Sequence, residues 1–320
     1  MTRPLAPALL ALLPLAVGCT ATAPPPPPNP APRVIHESEA VRVTRLQTGH
    51  VAVKRRFREW SGPAALRLPA ILLDGRWTEW FPIAFYLVER PDLTLVFDTG
   101  ETARVADPGH FDCDPVTGWF YRTQLRFAVT AEDELGPQLE RVGVSPADID
   151  TVVLSHLHSD HVGGLSHLRD ATWMISMRDA RGHAGALTCR MPDHADTVLV
   201  GADDGPFGAF DRSERVTADG DVRIVPTPGH SPGHQSVLIR DGARWVLLAG
   251  DVVFDRDRLE GGRAMAGIVE DPVAARRSID AVERQLARFD TLLAPAHDGH
   301  VDARGESGRL WAPSRAADPQ

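Results

Sequence analysis

The chain has 320 residues, enough for one large domain or two small ones, and its 43% apolar content suits a globular protein with a sizeable core. Its formal net charge is −9. No basic face compensates that charge, which argues against a general nucleic-acid binder.

Residues 1–19 read as a targeting segment. Arg3 gives a positive start, and Leu9 to Val17 form an apolar stretch too short to span a bilayer as a stable helix. Its end, Leu15-Ala16-Val17-Gly18-Cys19, resembles a bacterial lipobox, where small residues precede a Cys that is lipidated and becomes the new N-terminus. The expectation is an exported protein anchored to the cell envelope by lipid on Cys19. The alternative is an ordinary signal peptide with an incidental Cys. Residues 20–33 follow, with Pro24 to Pro28, Pro30 and Pro32. Such a run stays extended and supplies a semi-rigid tether. Residues 34–320 then form the folded domain. Cys113 and Cys189 remain, and export to an oxidising compartment would let them bridge. Their separation in sequence does not decide it.

Residues 41–100 are β-rich. Val41-Arg42-Val43 and Val51-Ala52-Val53 alternate, and Ile83 to Val88 and Leu93 to Phe97 are strand-like runs split by the turn signal Arg90-Pro91-Asp92. The last run ends at Asp98-Thr99-Gly100. That triplet also marks aspartic proteases, but those need two aspartates sharing a proton, and only one such triplet is present. Residues 101–129 are predicted to be an irregular loop carrying Phe111, Trp119, Phe120, Tyr121 and Phe127. It could be a flap over a site, or packing against the domain or a dimer partner. Packing is the commoner use of clustered aromatics. Thr130 to Arg141 reads as a helix, with a capping box at Thr130 and Asp133 and a stop at Gly143.

Thr151 to Leu154 is a short buried strand, and it runs into Ser155-His156-Leu157-His158-Ser159-Asp160-His161-Val162-Gly163-Gly164. In an extended segment alternate side chains point the same way, so His156 and His158 can face one metal. Asp160 and His161 fall where the chain turns and can face another, and Gly163 and Gly164 open a helix. Imidazole and carboxylate clustered this way are preferred ligands of zinc-like ions. Ala171 to Ile175 is a further strand, Met177 to His183 a short helix, and 184–220 lack pattern. Three later strands repeat the arrangement of a buried run followed by a ligand type. Val222 to Val225 leads to His230, Trp245 to Leu248 to Asp251, and Thr291 to Leu293 to His297. Asp241-Gly242 marks a hairpin. Asp271-Pro272 opens a helix whose Val273, Ile279, Val282, Leu286 and Phe289 form a core-facing stripe.

Gly229-His230-Ser231-Pro232-Gly233 also fits the nucleophile elbow of serine hydrolases. That motif must lead into a helix, whereas here Pro232 and Gly233 lead to a strand at Ser236 to Ile239. His230 is better read as a ligand in a tight turn, and His234 as a buried, hydrogen-bonded support. His36, His50, His110, His167, His183, His194 and His300 match no ligand position, so surface or structural roles are expected for them.

The ordered set His156, His158, Asp160, His161, His230, Asp251, His297 resembles the metallo-β-lactamase superfamily in its two-metal form. The resemblance covers roughly residues 40–300 and implies an α/β chain folded as a four-layered αββα sandwich. It also implies two divalent metal ions, zinc foremost. One ion takes His156, His158 and His230, the other takes Asp160, His161 and His297, and Asp251 bridges them. Asp98 would hold a ligand imidazole from behind, or it only shapes the turn at the end of its strand; the two readings stand level. The implied chemistry is hydrolysis of an ester-like bond in a small-molecule substrate by a shared hydroxide, with Asp160 shuttling the proton. Within the superfamily the look is nearest to the N-acyl homoserine lactonases, through Leu72-Leu73-Asp74, Asp98-Thr99-Gly100, Ser155 to Gly164 and Gly229 to Ser236. An apolar acyl chain would suit the aromatics of 111–127. One departure is Phe254, where those lactonases carry a Tyr. Alternatives within the fold are a thioesterase like the hydroxyacylglutathione hydrolases or another hydrolase. From another class comes a non-catalytic metal-binding envelope protein, and di-iron redox relatives use similar ligands.

Overall fold

The computed structural model describes residues 25–299, apart from 61, 195, 256–258 and 260–268. The lipobox, Cys19, the first residues of the tether and His300 lie outside the described residues.

Two sheets carry the chain. The first contains β1 (Arg33–Glu37), β2 (Arg42–Val53), β3 (Phe81–Arg90), β4 (Leu93–Phe97), β5 (Leu125–Ala128), β6 (Thr151–Val153), β7 (Thr172–Ser176) and β8 (Thr197–Val200). Its order is β1-β2-β3-β4-β6-β7-β8. β5 shares the outer edge of β2 with β1: His50 pairs with Ala128 and Val53 with Leu125, beyond the stretch that pairs with β1. The second sheet contains β9 (Glu214–Arg215), β10 (Val222–Pro226), β11 (Gln235–Asp241), β12 (Arg244–Gly250) and β13 (Asp290–Pro295), in the order β13-β12-β11-β10-β9.

Alternation along each strand explains why the sheets stack. Tyr86, Val88, Leu95 and Phe97 of the first sheet face Val237, Ile239, Val246 and Leu248 of the second across one buried layer. Their neighbours Phe85, Leu87 and Val96 point outward, onto Leu135 and Leu139 of α4 (Leu135–Glu140). Val225, Leu238, Leu247 and Leu293 point out from the second sheet, onto Ile279, Val282 and Leu286 of α6 (Pro272–Arg288). This is the four-layered αββα sandwich. Strands covered on both faces read as nearly continuous apolar runs, which is why they were visible in the sequence.

α6 starts as expected: Asp271 accepts hydrogen bonds from the Val273 and Ala274 N–H groups, and Pro272 occupies the first position. Its stripe departs at Val273, which is 63% exposed; Ala275 takes the inward place. The two-residue link at Gly242 joins β11 to β12, with Asp241 paired to Arg244.

Several expectations are corrected. Residues 101–129 are not irregular. They hold α3 (Pro115–Gln124), capped by Asp114 through Val116 N–H and Thr117 N–H, and then β5. The cap and the Pro at the first position are the same signal that marked α6, masked here by aromatic density. Thr130 to Arg141 is not one helix. A 3-10 turn at Ala131–Asp133 breaks at Glu134, whose extended ψ of 163° ends it, before α4 begins. Thr130 bonds the Asp133 side chain rather than a backbone N–H, so the capping box does not form. Met177 to His183 contains a single 3-10 turn, Asp179–Arg181. The helix expected at Gly163 begins earlier, as α5 (Ser159–Val162). The patternless region 184–220 contains β8 and β9, held mainly by pairing to neighbours. At the N-terminal end Arg33 already belongs to β1, and Asn29 exchanges hydrogen bonds with Gln47 of β2 at 2.9 and 3.3 Å.

Cys113 and Cys189 form a disulfide across 76 residues. It joins the turn before α3 to the 3-10 turn Thr188–Arg190, where Phe111 and Tyr121 also pack on Leu187. Closing a loop of this length restricts the unfolded chain. Replacing both cysteines by Ser is expected to cost about 2–4 kcal/mol, read as a lower urea midpoint of the purified chain. An unchanged midpoint would mean that the bridge adds nothing to stability.

Candidate metal centre

Five strands deliver the candidate ligands to one edge of the sandwich. β4 ends at Asp98, β6 leads to the 155–161 loop, β10 leads to His230, β12 to Asp251 and β13 to His297. In layered α/β folds the ends of strands are where loops from different elements converge. The convergence demands close approach. Gly250 has φ 57°, and a Cβ there would lie 2.7 Å from Ser155 Cβ and 2.9 Å from His234 Nε2. Gly229 has φ 136° and presses the His230 turn onto the backbone of Ala275 in α6.

All seven expected residues are brought together. Ligand atoms of His156, His158 and His230 lie within 4.8 Å of one another, as do those of His156, His161 and Asp251, and those of Asp160, His161 and His297. His156 Nε2 is 2.8 Å from His158 Nδ1, and His230 Nε2 is 3.0 Å from both. Asp251 Oδ1 is 3.4 Å from His161 Nε2 and from His297 Nε2, and Asp251 Oδ2 is 3.5 Å from His230 Nε2. Asp251 therefore stands between the two clusters, where the resemblance placed its bridging role.

The outer hydrogen bonds assign which nitrogen faces inward. His161 Nδ1–H donates to Asp98 Oδ2 at 2.8 Å, leaving Nε2 as the lone pair toward the centre. His297 Nδ1–H donates to the Pro82 carbonyl at 2.8 Å, and His158 Nε2–H to the Ala184 carbonyl at 3.1 Å. A carboxylate or carbonyl behind a ligand imidazole fixes its tautomer and orientation. Asp98 does more than shape a turn. Its other oxygen accepts the Ser155 N–H at 2.7 Å, and its φ of 60° is a left-handed conformation that a non-glycine residue adopts at a cost.

The charges fit a cation. Burial, with neighbouring imidazoles adding to it, holds His156 and His158 well below the ordinary histidine range; burial likewise holds His230 at about 3 despite Asp251. These imidazoles are neutral, as ligands must be. Burial would also lower His161, but Asp98, Asp251 and Asp160 outweigh it and raise the group to about 10. Burial would raise Asp251, but His297, His161 and His230 hold it well below the usual carboxylate range. Among the described residues, His161 Nε2 and Asp251 Oδ1 are buried with no hydrogen-bond partner. The carboxylates around His161 make a negative focus that holds a proton on its imidazole when nothing else is bound, and a cation between these two unpartnered atoms would replace that proton. The donor set, imidazole plus carboxylate, fits zinc, iron, manganese or cobalt alike.

His234 is a support, as expected. Its Nε2 accepts the Asp251 N–H at 3.0 Å, so Nδ1–H points to Thr227 Oγ1 at 2.8 Å. Ser231 of the elbow-like motif is buried and donates to Asp179 Oδ2 at 2.6 Å, and its turn runs into β11, so it is no nucleophile. Asp179 escaped the sequence reading, and His183 takes a structural role, one of the two expected for it. Asp179 holds the His230 turn through Ser231 and through the Gly233 N–H at 2.6 Å. His183 has a fully buried side chain and accepts the Leu157 N–H, between the first two ligands, at 3.3 Å. The i,i+4 spacing of Asp179 and His183 was the available signal, but it is common on any helix. A further buried carboxyl, Glu101, accepts the Ser159 hydroxyl beneath the ligand loop, and burial raises it to about 8.

A model of the metallo-beta-lactamase superfamily matches residues 78–300. The chain belongs to the metallo-beta-lactamase superfamily. A probable metallo-hydrolase of Mycobacterium tuberculosis is 32% identical over 186 residues, 55% of this chain and 58% of that protein. The chain thus spans less than two thirds of that relative. The N-acyl homoserine lactonase AttM of Agrobacterium fabrum is 30% identical over 228 residues, 68% of this chain and 82% of AttM. Among solved structures, a mutant AiiA of B. thuringiensis with N-decanoyl-L-homoserine at its active site aligns with TM-score 0.63 at 23% identity, covering 80% of this chain and 93% of AiiA. AidC, a dizinc quorum-quenching lactonase, aligns with TM-score 0.57 at 17% identity, covering 84% and 91%. This metallo-beta-lactamase-superfamily chain therefore shares its fold with lactonases of known structure.

Two outcomes follow from the geometry. Asp98→Asn removes the carboxylate behind His161 and is expected to weaken zinc binding about 10–100-fold in calorimetric titration of the chelator-treated chain; equal affinity would remove Asp98 from that role. The pH dependence of the chelator-treated chain has a definite sign. His230 and His234, both lowered to about 3 on folding chiefly by burial, refuse protons that the unfolded chain accepts near 6.5. Their stabilisation is complete above about pH 6.5 and is lost as pH falls toward 3, by about 1.4 kcal/mol per pH unit for each imidazole. The urea midpoint should fall between pH 7 and pH 5; a flat profile would contradict buried neutral imidazoles.

Proposed function

We propose that the protein is a binuclear metal-dependent hydrolase, with zinc as the ion, that opens lactone or ester bonds and takes N-acyl homoserine lactones as its substrate class. The observation that carries this reading is the cleft above the centre. It encloses about 410 Å³ and reaches His158, Asp160, His230, Asp251 and His297 at its floor. Its walls are apolar: Val51, Val53, Phe57, Ile71, Phe120 and Leu125. One polar, ligand-bearing end and one apolar end match a molecule with a carbonyl head and an acyl chain. The relative AttM is named for that reaction, and AidC is described as dizinc. The seven residues named above are proposed as the ligands, with Asp251 shared.

When bound, divalent cations would supply an acidified water and polarisation of the substrate carbonyl. The chain's own residues do the rest. The cleft walls hold the acyl chain and exclude water from it. Asp160, 3.6 Å from His297 Nε2 and lining the cleft, is placed to take a proton at its carboxylate and return it to the leaving oxygen. Asp98, Pro82 and Ala184 keep the imidazoles oriented. Phe254 stacks on His297 at 4.5 Å and packs edge-on against Phe81 at 5.0 Å, so it presents a ring edge to the cleft. Tyr121 does not replace the missing hydroxyl: its O–H donates to the Gly185 carbonyl at 2.9 Å and accepts the Ser159 N–H at 3.2 Å.

Export and lipid attachment at Cys19 are proposed with this function. The Cys113–Cys189 bridge supports an oxidising compartment, since such bridges persist there and are rare in reducing ones.

The test is turnover by the purified chain of long- and short-chain acyl homoserine lactones, γ-lactones, an aryl ester, a phosphodiester and a cephalosporin, with and without chelator. Lactone opening that chelator abolishes, with two metals per chain, is the expected result; turnover of the other substrates alone would sink the lactone assignment. Phe254→Tyr is expected to raise lactone kcat/KM by roughly fivefold, the effect of one added hydrogen bond of about 1 kcal/mol. No change would show that the hydroxyl is dispensable in this cleft.

A further inference from the structure

Between β2 and β3 the chain makes a helical hairpin that the hydrolase reading leaves largely unused. It consists of α1 (Arg55–Glu59) and α2 (Arg67–Leu72), with a 3-10 turn at Ala64–Leu66 before α2. Only Phe57 and Ile71 anchor it in the core. Its outer side keeps Leu66, Leu72 and Leu73 in solvent, Leu73 at 86% exposure, and Leu68 stands half-exposed at the rim of the cleft. Large exposed aliphatics grouped on one element are unusual on a monomer and mark a surface that meets something.

The composition around them says what. Residues 54–80 hold six Lys or Arg and three Asp or Glu, a local excess of +3 in a chain whose total is −9. The same stretch holds Trp60, Trp77 and Trp80, three of the chain's seven tryptophans. Arg55, Arg58 and Arg76 are paired with Glu59, with Glu79 and Asp255, and with Asp74, so the excess rests on Lys54, which lies over the Trp77 ring at 4.1 Å, on Arg56, which stacks toward Trp60, and on Arg67 beside the cleft. Exposed leucines, interfacial tryptophans and excess arginine are the ingredients of a segment lying in the headgroup layer of an anionic membrane. A second copy of the chain fits less well, because a two-fold contact would set this cationic surface against itself.

Position agrees. Leu68 and Ile71 of α2 line the cleft, so the hairpin forms part of its mouth. Asn29 is fixed on Gln47, ten residues after Cys19. Ten residues reach at most about 35 Å, and the seven residues from Gln47 to Lys54 along the strand span about 23 Å. A bilayer holding lipid on Cys19 can therefore touch the hairpin. No helix among the described residues is long and apolar enough to cross a membrane.

We infer that the α1–α2 hairpin is a membrane-docking element that seats the mouth of the cleft on an anionic bilayer surface. The orientation rests on the proposed anchor at Cys19; the docking itself does not. An amphiphilic substrate partitioned into the lipid would then enter the cleft acyl chain first or last without crossing bulk water.

The test uses the mature chain from residue 20 onward, which lacks both the apolar targeting segment and the lipid acceptor, floated with vesicles of phosphatidylcholine alone or with phosphatidylglycerol. Flotation with the anionic vesicles at low salt, and release at high salt, is expected. Leu72→Asp with Leu73→Asp should cut the bound fraction roughly tenfold, at an unchanged melting temperature; Arg55→Gln with Arg56→Gln should cut it without touching apolar surface. The idea is overturned if the parent does not float with anionic vesicles, or if both variants float as well as it does. A dimer that the leucine variant dissolves, with no vesicle binding by the parent, would overturn it in favour of self-association. Lipidation is read separately, by the mass of the mature native chain, and hydrolysis in solution by the substrate panel, so each reading fails on its own measurement.

Discussion

The structure depends on burying charge and lone pairs at the seam between two sheets. Three imidazole nitrogens of His156, His158 and His230 point at one another from about 3 Å, and Asp251 stands between them and the pair His161 and His297 with an oxygen that lacks a hydrogen-bond partner. In a low-dielectric interior this is unfavourable unless a cation occupies the focus. The fold tolerates the arrangement because three of the seven, His161, His297 and His158, are braced from outside by Asp98, Pro82 and Ala184, and the braces belong to other elements than the imidazoles they hold. A metal site of this kind is therefore coupled to folding. The same contacts that set the ligands also tie β3, β4 and the 183–185 turn to the ends of β6 and β13.

This coupling explains what was legible in the sequence. The αββα sandwich needs strands buried on both faces, and such strands appear as apolar runs: Ile83 to Val88, Thr151 to Leu154, Trp245 to Leu248. Ligands must sit where these runs stop, because only there do loops from both sheets meet. His156, His158, Asp160, His161, His230, Asp251 and His297 all sit at such places, so order and spacing along the chain carried nearly the whole site. The helix at Asp271-Pro272 was legible for a local reason, since its cap and its proline are adjacent residues.

What could not be read was held by distant partners. β9, Glu214–Arg215, carries no apolar signal and exists because β10 offers an edge, whereas β8 is a short Thr-Val-Leu-Val run passed over among the Gly, Asp and Pro around it. Asp179 and His183 matter only because Ser231, Gly233 and Leu157 come to them from elsewhere in the chain. Asp98 was balanced between turn and brace until His161 was seen 2.8 Å away. The α3 segment failed differently. Asp114-Pro115 was a sufficient start signal, but the aromatics after it suggested a loop, and Tyr121 and Phe111 turn out to stack at 5.0 Å as part of the packing.

The cleft shows why packing and recognition were hard to separate in that segment. Phe120 and Tyr121 come from α3, Gly185 from the turn beside Cys189, and Leu125 from β5. One wall thus consists of elements held by an aromatic cluster and closed by the Cys113–Cys189 bridge. The hairpin continues that wall, with Phe57 5.7 Å from Phe120 and Ile71 in the same cluster, and Ala275 at the start of α6 also lines the cleft. The floor is fixed by the ligand braces, while the walls are hung on surface elements that differ in how firmly they are attached. Chemistry and shape are therefore carried by separable parts: the floor holds the candidate ligands, and the apolar side chains above it set the form of the space that leads to them.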